Sequence, residues 1–210
     1  MPVVRGRAGG HLVGNRSCAP TVRPRVACRF LLISGSLRAG STNAAVLRTA
    51  RRLLPPAVEG VIYEGLGQLP HFNPDDDADP VPGEVAALRA AIHAAAALVV
   101  STPEYAGALP GSFKNLLDWT IGDENPGSIY NKPVAWINAS PRGAQGAHEE
   151  LRTVLGYAHA DIVDDACLHV PVSQAMIGSG GLVADGGARE GIARAAAILA
   201  DSVGCASRTR

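Results

Sequence analysis

Two hydrophobic rhythms alternate along this chain. Short apolar runs end in Gly, Ser or Pro, and each is followed by a stretch in which apolar residues recur at helical spacing. Residues 27–33 (ACRFLLI) form the first run and close at Ser34-Gly35-Ser36, which reads as a buried strand entering a tight turn. Over 43–54, Ala44, Val46, Leu47, Ala50, Leu53 and Leu54 mark the buried face of a helix that Pro55-Pro56 stops. Residues 58–63 read as a second strand, and a polar, Pro-rich connection occupies 65–82. An Ala-rich helix over 84–97 leads directly into a strand at 98–101, and 110–119 reads as a helix with proline near its first turn. A fourth strand (133–139), a fourth helix (147–158), a fifth strand within 165–172 and a final amphipathic helix (188–203) complete the pattern.

Strands that alternate with helices at this spacing imply right-handed crossovers and a parallel sheet covered on both faces. Five such units predict a doubly wound α/β fold with strand order 2-1-3-4-5. Composition agrees: apolar residues are 47% of the chain and aromatics only 4%, so an aliphatic core between helices and sheet is expected. At 210 residues one domain is expected.

The 19 basic and 19 acidic residues balance, which gives no electrostatic reason to expect nucleic acid or an anionic membrane as partner. Their distribution is uneven, because no Asp or Glu precedes Glu59 whereas ten arginines do. That start reads as an Arg-rich disordered extension over 1–26, with a basic arm or transit peptide as the alternatives. No run approaches the ~20 apolar residues of a membrane span. Cys18, Cys28, Cys167 and Cys205 form no C-x-x-C pair, so reduced, buried thiols in a cytoplasmic protein are expected. Asp75-Asp76-Asp77 reads as a solvated loop, and five of the six histidines (His71, His93, His148, His159, His169) lack helical zinc-site spacing, so no metal is expected.

In an open α/β sheet ligands bind beyond the carboxyl ends of the strands, where strand order reverses. The loops after the first, third and fourth strands meet there: SGSLRAGSTN, STPEYAGALPG and ASPRGAQGAH. The first has the composition of a phosphate cradle. Gly35 and Gly40 permit close backbone approach, Ser36, Ser41 and Thr42 carry hydroxyls, Arg38 is a cation, and a helix N-terminus follows. It lacks the lysine of a P-loop and the G-x-G-x-x-G spacing of a dinucleotide site, and on its own it fits an ordinary helix-capping turn equally well. In the second loop Pro103-Glu104-Tyr105 sets a rigid turn and an aromatic at the sheet edge, within reach of a planar heterocycle, while Tyr105 taken alone fits surface packing. The third contributes Ser140, Pro141, Arg142 and Gly143; its arginine fits a flavin carbonyl, a nicotinamide cofactor's phosphate or a solvent-exposed cap.

GSLRAGSTN, TPEYAGALPGSFKNLLDW and KPVAWINASPRGAQGAHEELRTVL together resemble the signature loops of the NADPH-dependent FMN reductase family, which includes bacterial quinone, chromate and azo-dye reductases. The resemblance implies a flavodoxin-like FMN-binding domain over 27–205. It implies that Ser36, Arg38, Ser41 and Asn43 hold the FMN phosphate, with Leu37 and Thr42 also in the cofactor site, and that Pro103, Glu104, Tyr105, Ala106 and Gly107 line the isoalloxazine and ribityl side. Ser140, Arg142 and Gly143 would close the other side. Two positions depart from the family: Ala106 stands where Asn is usual, and Arg142 where a small residue is common.

The activity implied by the resemblance is that of a ping-pong enzyme. NADPH or NADH reduces FMN, and a quinone, azo compound, chromate or free flavin then takes the electrons, with no side chain as indispensable acid or base. A flavodoxin-type electron carrier is the alternative, disfavoured by the neutral charge, and a non-enzymatic phosphate-ligand sensor is the third reading. A homodimer or homotetramer is implied as well, with residues 112–120 as the candidate surface unless their apolar side chains serve the monomer's own core.

Overall fold

The computed structural model describes residues 28–121 and 127–205. The Arg-rich opening, Cys18 and the proposed extension therefore lie outside the described residues. Six strands and five α-helices follow in order: β1 (Cys28–Ser34), α1 (Thr42–Leu53), β2 (Val58–Tyr63), α2 (Gly83–Ala94), β3 (Ala97–Ser101), α3 (Gly111–Asp118), β4 (Pro133–Asn138), α4 (Gln145–Tyr157), β5 (Asp161–Ile162), β6 (Leu168–His169) and α5 (Gly186–Ser202).

The sheet is parallel, in the order β2-β1-β3-β4-β5, with β6 also pairing β4. Its central strands read as unbroken apolar runs because both of their faces are buried. Phe30 and Leu32 of β1, Val99 of β3 and Ile137 of β4 pack beneath α1 and α5. Leu31, Ile33, Val100 and Trp136 point the other way, towards α2, α3 and α4. This is the flavodoxin-like arrangement expected from the sequence.

The fifth lane of the sheet corrects the expectation of one strand within 165–172. It is filled by two fragments, β5 beside Pro133 and Val134 and β6 beside Ile137 and Asn138. Between them Asp164–Ala166 forms a tight 3-10 turn, and the half-buried Val163 and Cys167 flank it. The buried face of α1 is also shifted. Asn43, Ala45 and Thr49 are buried alongside Val46, Leu47 and Ala50, while Ala44, Leu53 and Leu54 are only half-buried. Each of the polar members has a fixed partner described below.

The long connection after β2 is pinned, not merely solvated. The Trp119 indole donates to the Pro70 carbonyl at 2.8 Å, Asn115 donates to the same oxygen, and Asp77 pairs with Arg89 at 2.7 Å. Phe113, Leu116, Leu117 and Trp119 are all buried within the chain's own core, so the apolar side of α3 is not the oligomer surface that the sequence offered.

The expectation of reduced thiols fails for two cysteines. Cys28, at the start of β1, is bonded to Cys205, just beyond α5, across 177 residues of chain. Spacing could not have shown this pairing. Cys167 is the free thiol among the described residues, and burial pushes its pKa up to about 11, which keeps it protonated and a poor nucleophile. No helix among the described residues is long and apolar enough to cross a membrane.

Candidate functional site

A cavity of about 390 Å³ opens at the carboxyl ends of β1, β3 and β4, within the ~300–1,000 Å³ usual for small-molecule sites. The three distinctive loops form most of its lining. Ser36, Arg38, Ser41, Thr42 and Asn43 come from the first, Pro103, Glu104 and Tyr105 from the second, and Ser140 and Arg142 from the third. Leu37, Ala106, Gly107 and Gly143 lie outside the lining, and Leu37 instead reaches towards Gly67. Gly40, Pro141, Ala144 and Gln174 complete the wall.

The first loop is organised from its own hydroxyls. Ser36 N–H donates to Ser34 Oγ at 3.2 Å, and Arg38 N–H donates to Ser36 Oγ at 3.3 Å. Ser41 caps α1, its Oγ accepting from the Ala44 N–H at 3.4 Å. The Thr42 and Asn43 amides thus begin a helix at the cavity wall with no intrahelical acceptor, which makes this end positive. Asn43 is held from beneath: Ser101 Oγ stands 2.9 Å from its Oδ1 and 2.7 Å from the Ile137 carbonyl. Gly35 serves the protein rather than a ligand, since a Cβ there would strike Thr102 Oγ1 and press on Phe113. Gly40 has open space beside it.

In the second loop Tyr105 and Ala108 exchange both backbone hydrogen bonds, at 3.0 and 3.1 Å, around a two-residue turn. Ala106 (φ 51°) and Gly107 (φ 77°) are both left-handed, as a type I′ turn requires. Asn is well suited to that first position and Ala costs roughly 1 kcal/mol there. Of the two departures from the resemblance, Ala106 therefore sits at a conformational position outside the cavity lining, whereas Arg142 is part of that lining.

Loop two is locked to α4 by two reciprocal carboxylate bonds. The α4 N-cap is Ala144, which has no capping side chain, and Glu104 takes over by accepting the Ala147 N–H at 3.0 Å. In return Glu150 of α4 accepts the Leu109 N–H at 2.7 Å. Between these bonds Gly146 lies against the Gly107 carbonyl, so close that no side chain fits. Glu104 thus borders the cavity while also holding two segments together.

The third loop is fixed by side chains that face away from the cavity. Asn138 accepts the Ser140 N–H at 3.0 Å and donates to the Gly143 carbonyl. His169 Nε2 lies 2.8 Å from the Ser140 carbonyl, and His148 Nδ1 lies 2.8 Å from the Ala144 carbonyl. Both ring nitrogens must donate, so His148 carries its proton on Nδ1 and its buried Nε2 is left without a partner. Burial pushes the His148 pKa down, opposed by the bond to Ala144; nearby His169 lowers it further and Glu104 raises it.

That shift has a testable sign. A histidine whose folded pKa lies below its unfolded value of about 6.5 binds fewer protons when folded, so stability falls as pH drops through that window. The urea midpoint of the native protein is expected to fall between pH 7 and pH 5, and His148→Gln should flatten part of that slope. An unchanged slope in the variant would remove His148 as its source.

The lining residues that the sequence reading missed are Ala144 and Gln174. Ala144 is backbone-defined, with φ 46° at the α4 N-cap. Gln174 lies in a short 3-10 turn beyond β6, outside the three distinctive loops. Among the described residues no three His, Cys, Asp or Glu side chains cluster as metal ligands would.

Comparison with known proteins agrees with this geometry. The profile of the NADPH-dependent FMN reductases matches residues 28–175. An NAD(P)H-dependent FMN reductase of Pseudomonas aeruginosa is 34% identical over 165 residues, 77% of this chain and 88% of that one. A quinone reductase of Escherichia coli is 36% identical over 142 residues, 65% of this chain and 73% of that one. Among solved structures, a flavoenzyme NAD(P)H:(acceptor) oxidoreductase from Paracoccus denitrificans superposes with a TM-score of 0.69 at 25% identity, covering 84% of this chain and 97% of that one.

Proposed function

The chain belongs to the NADPH-dependent FMN reductase family, and from that premise we propose that it is an FMN enzyme passing electrons from NAD(P)H to quinones, azo compounds, chromate or free flavin in ping-pong order. The single observation that carries this reading is the meeting of the α1 N-terminus, with its free Thr42 and Asn43 amides, three hydroxyl side chains and Arg38 in one cavity at the point where strand order reverses. That donor set fits a phosphate monoester. The remaining walls, with Pro103, Tyr105, Ser140 and Arg142, fit the planar and polar parts of a flavin.

In this reading Ser36, Arg38, Ser41, Thr42 and Asn43 hold the phosphate. Pro103, Glu104 and Tyr105 border the ring side, with the Ala106-Gly107 turn setting their path. Ser140, Arg142 and the Gly143 turn close the opposite side. Bound FMN supplies the hydride chemistry. The protein's share is to bind, orient and shield: the Glu104 and Glu150 bonds fix two walls relative to each other, and Asn138, His148 and His169 take up the carbonyls of the third loop. No side chain is assigned a proton-transfer role.

Steady-state oxidation of NADPH by the purified protein with a simple quinone separates an enzyme from an electron carrier. Turnover supports the enzyme; FMN binding without turnover supports the flavodoxin-type alternative. Assembly into a dimer or tetramer, if it occurs, uses a surface other than the apolar side of α3, which the monomer buries. A cytoplasmic location would place the protein beside its NAD(P)H supply. Thiol titration of freshly isolated protein tests that placement, since a reducing compartment would hold Cys28 and Cys205 as free thiols.

A further inference from the structure

One residue of the cavity lining, Gln174, comes from none of the three signature loops. Residues 173–185, between β6 and α5, form a folded strap. Ile177 and Val183 make an antiparallel bridge, the Gly178 N–H donates to Leu182 O at 2.9 Å, and the Ala184 N–H donates to Met176 O at 2.8 Å. The matched family region ends at 175, so nearly all of this strap lies beyond it.

The strap is docked on α1, the helix whose first turn borders the cavity. Val183 N–H donates to Thr49 Oγ1 at 2.9 Å, and both residues are almost fully buried, at 1% and 0% exposure. Thr49 Oγ1 spends its own proton on the Ala45 carbonyl at 2.8 Å, so this hydroxyl is fixed as the acceptor for the strap. Arg48 Nε adds a bond to the Gly181 carbonyl at 3.2 Å, and Arg189 of α5 donates to the Val183 carbonyl at 3.1 Å. A buried polar residue in the middle of α1 is thereby explained, and so is the placement of Gln174. At the start of the strap, Gln174 is exposed and lines the same cavity as Ser41, Thr42 and Asn43.

We propose that Gln174 is a further cofactor-binding residue, whose amide donates to the phosphate end of FMN; this rests on the FMN reading above. A neutral amide supplies N–H donors there without adding charge, and the strap holds the backbone from which they extend. Replacement by Ala removes the donors. Replacement by Glu sets a like charge beside the phosphate.

The test is titration of the full-length protein, freed of flavin, with FMN and separately with riboflavin, which lacks the phosphate, followed by flavin fluorescence. Gln174→Ala is expected to weaken FMN about tenfold, the loss of one hydrogen bond to a charged group, and Gln174→Glu to weaken it further. Riboflavin affinity should be unchanged in both variants. Since the side chain is exposed, both variants should fold. If the native protein binds no FMN, the functional reading itself fails. If it binds FMN and both variants match it, or if FMN and riboflavin weaken in parallel, the assignment of Gln174 is overturned while the functional reading stands.

Discussion

Replacing both Cys28 and Cys205 with Ser is expected to lower the unfolding free energy by about 2–5 kcal/mol, the usual cost of losing a native disulfide. The bond joins the first residue of β1 to the residue that follows the last turn of α5, with Cα atoms 5.8 Å apart, and so ties the unfolded chain into a loop of nearly the whole domain. Loop-closure entropy grows slowly with length, and for a loop this long the chain-entropy estimate reaches roughly 5 kcal/mol. Cys205 is 2% exposed and its N–H donates to the Ala200 carbonyl at 2.8 Å, so its backbone is held without the bond. Urea unfolding checks this directly: reductant should lower the midpoint of the native protein towards that of the variant and leave the variant unmoved. Equal midpoints with and without reductant would show that the bond contributes nothing.

Gly146→Ala should damage the site itself. The added methyl would collide with the Gly107 carbonyl oxygen, a backbone atom in a tight turn that cannot swing aside as a side chain would. Relief requires loop two to separate from α4, which strains or breaks the Glu104–Ala147 and Glu150–Leu109 bonds on either side of the contact. Overpacking alone costs about 1–3 kcal/mol, and each carboxylate bond is worth about 1.5–3 kcal/mol. The expected result is a lowered melting temperature together with FMN binding weakened by about tenfold or more. Glu104→Gln, which keeps an acceptor for the Ala147 amide, should be milder on both counts. A Gly146→Ala protein that melts and binds FMN like the native one would show that the contact between loop two and α4 does not shape the cavity.

The contrast between these residues and the signature loops explains what the sequence could and could not reveal. β1, β3 and β4 were legible because strands buried on both faces become unbroken apolar runs, and the three loops were legible because their composition exceeds what a connection needs. The face of α1 was misread because Asn43 and Thr49, polar by type, are buried through bonds to Ser101 and Val183 that lie far away in the chain. The expected fifth strand within 165–172 contains β6 but misses β5, because the turn at Asp164–Ala166 breaks this lane into fragments too short to show a period.

The clamp of loop two on α4 left no local trace for a similar reason. Its capping carboxylate comes from Glu104, 43 positions before the amide it serves, whereas a sequence-level helix start is sought within one turn. The disulfide was hidden because only the closed fold brings the ends of β1 and α5 together. Gln174 is the subtlest case. It follows β6, which lies within the expected 165–172, on the same sheet edge as the other loops, but it sits five positions beyond that strand.

The most direct measurement is the visible absorption spectrum of the purified protein after incubation with FMN and removal of the excess, recorded before and after anaerobic addition of NADPH. The account predicts a yellow protein retaining one FMN per chain, bleached by NADPH and recoloured by a quinone. A colourless protein that takes up no FMN, or a bound flavin that stays oxidised with both NADPH and NADH, would contradict it.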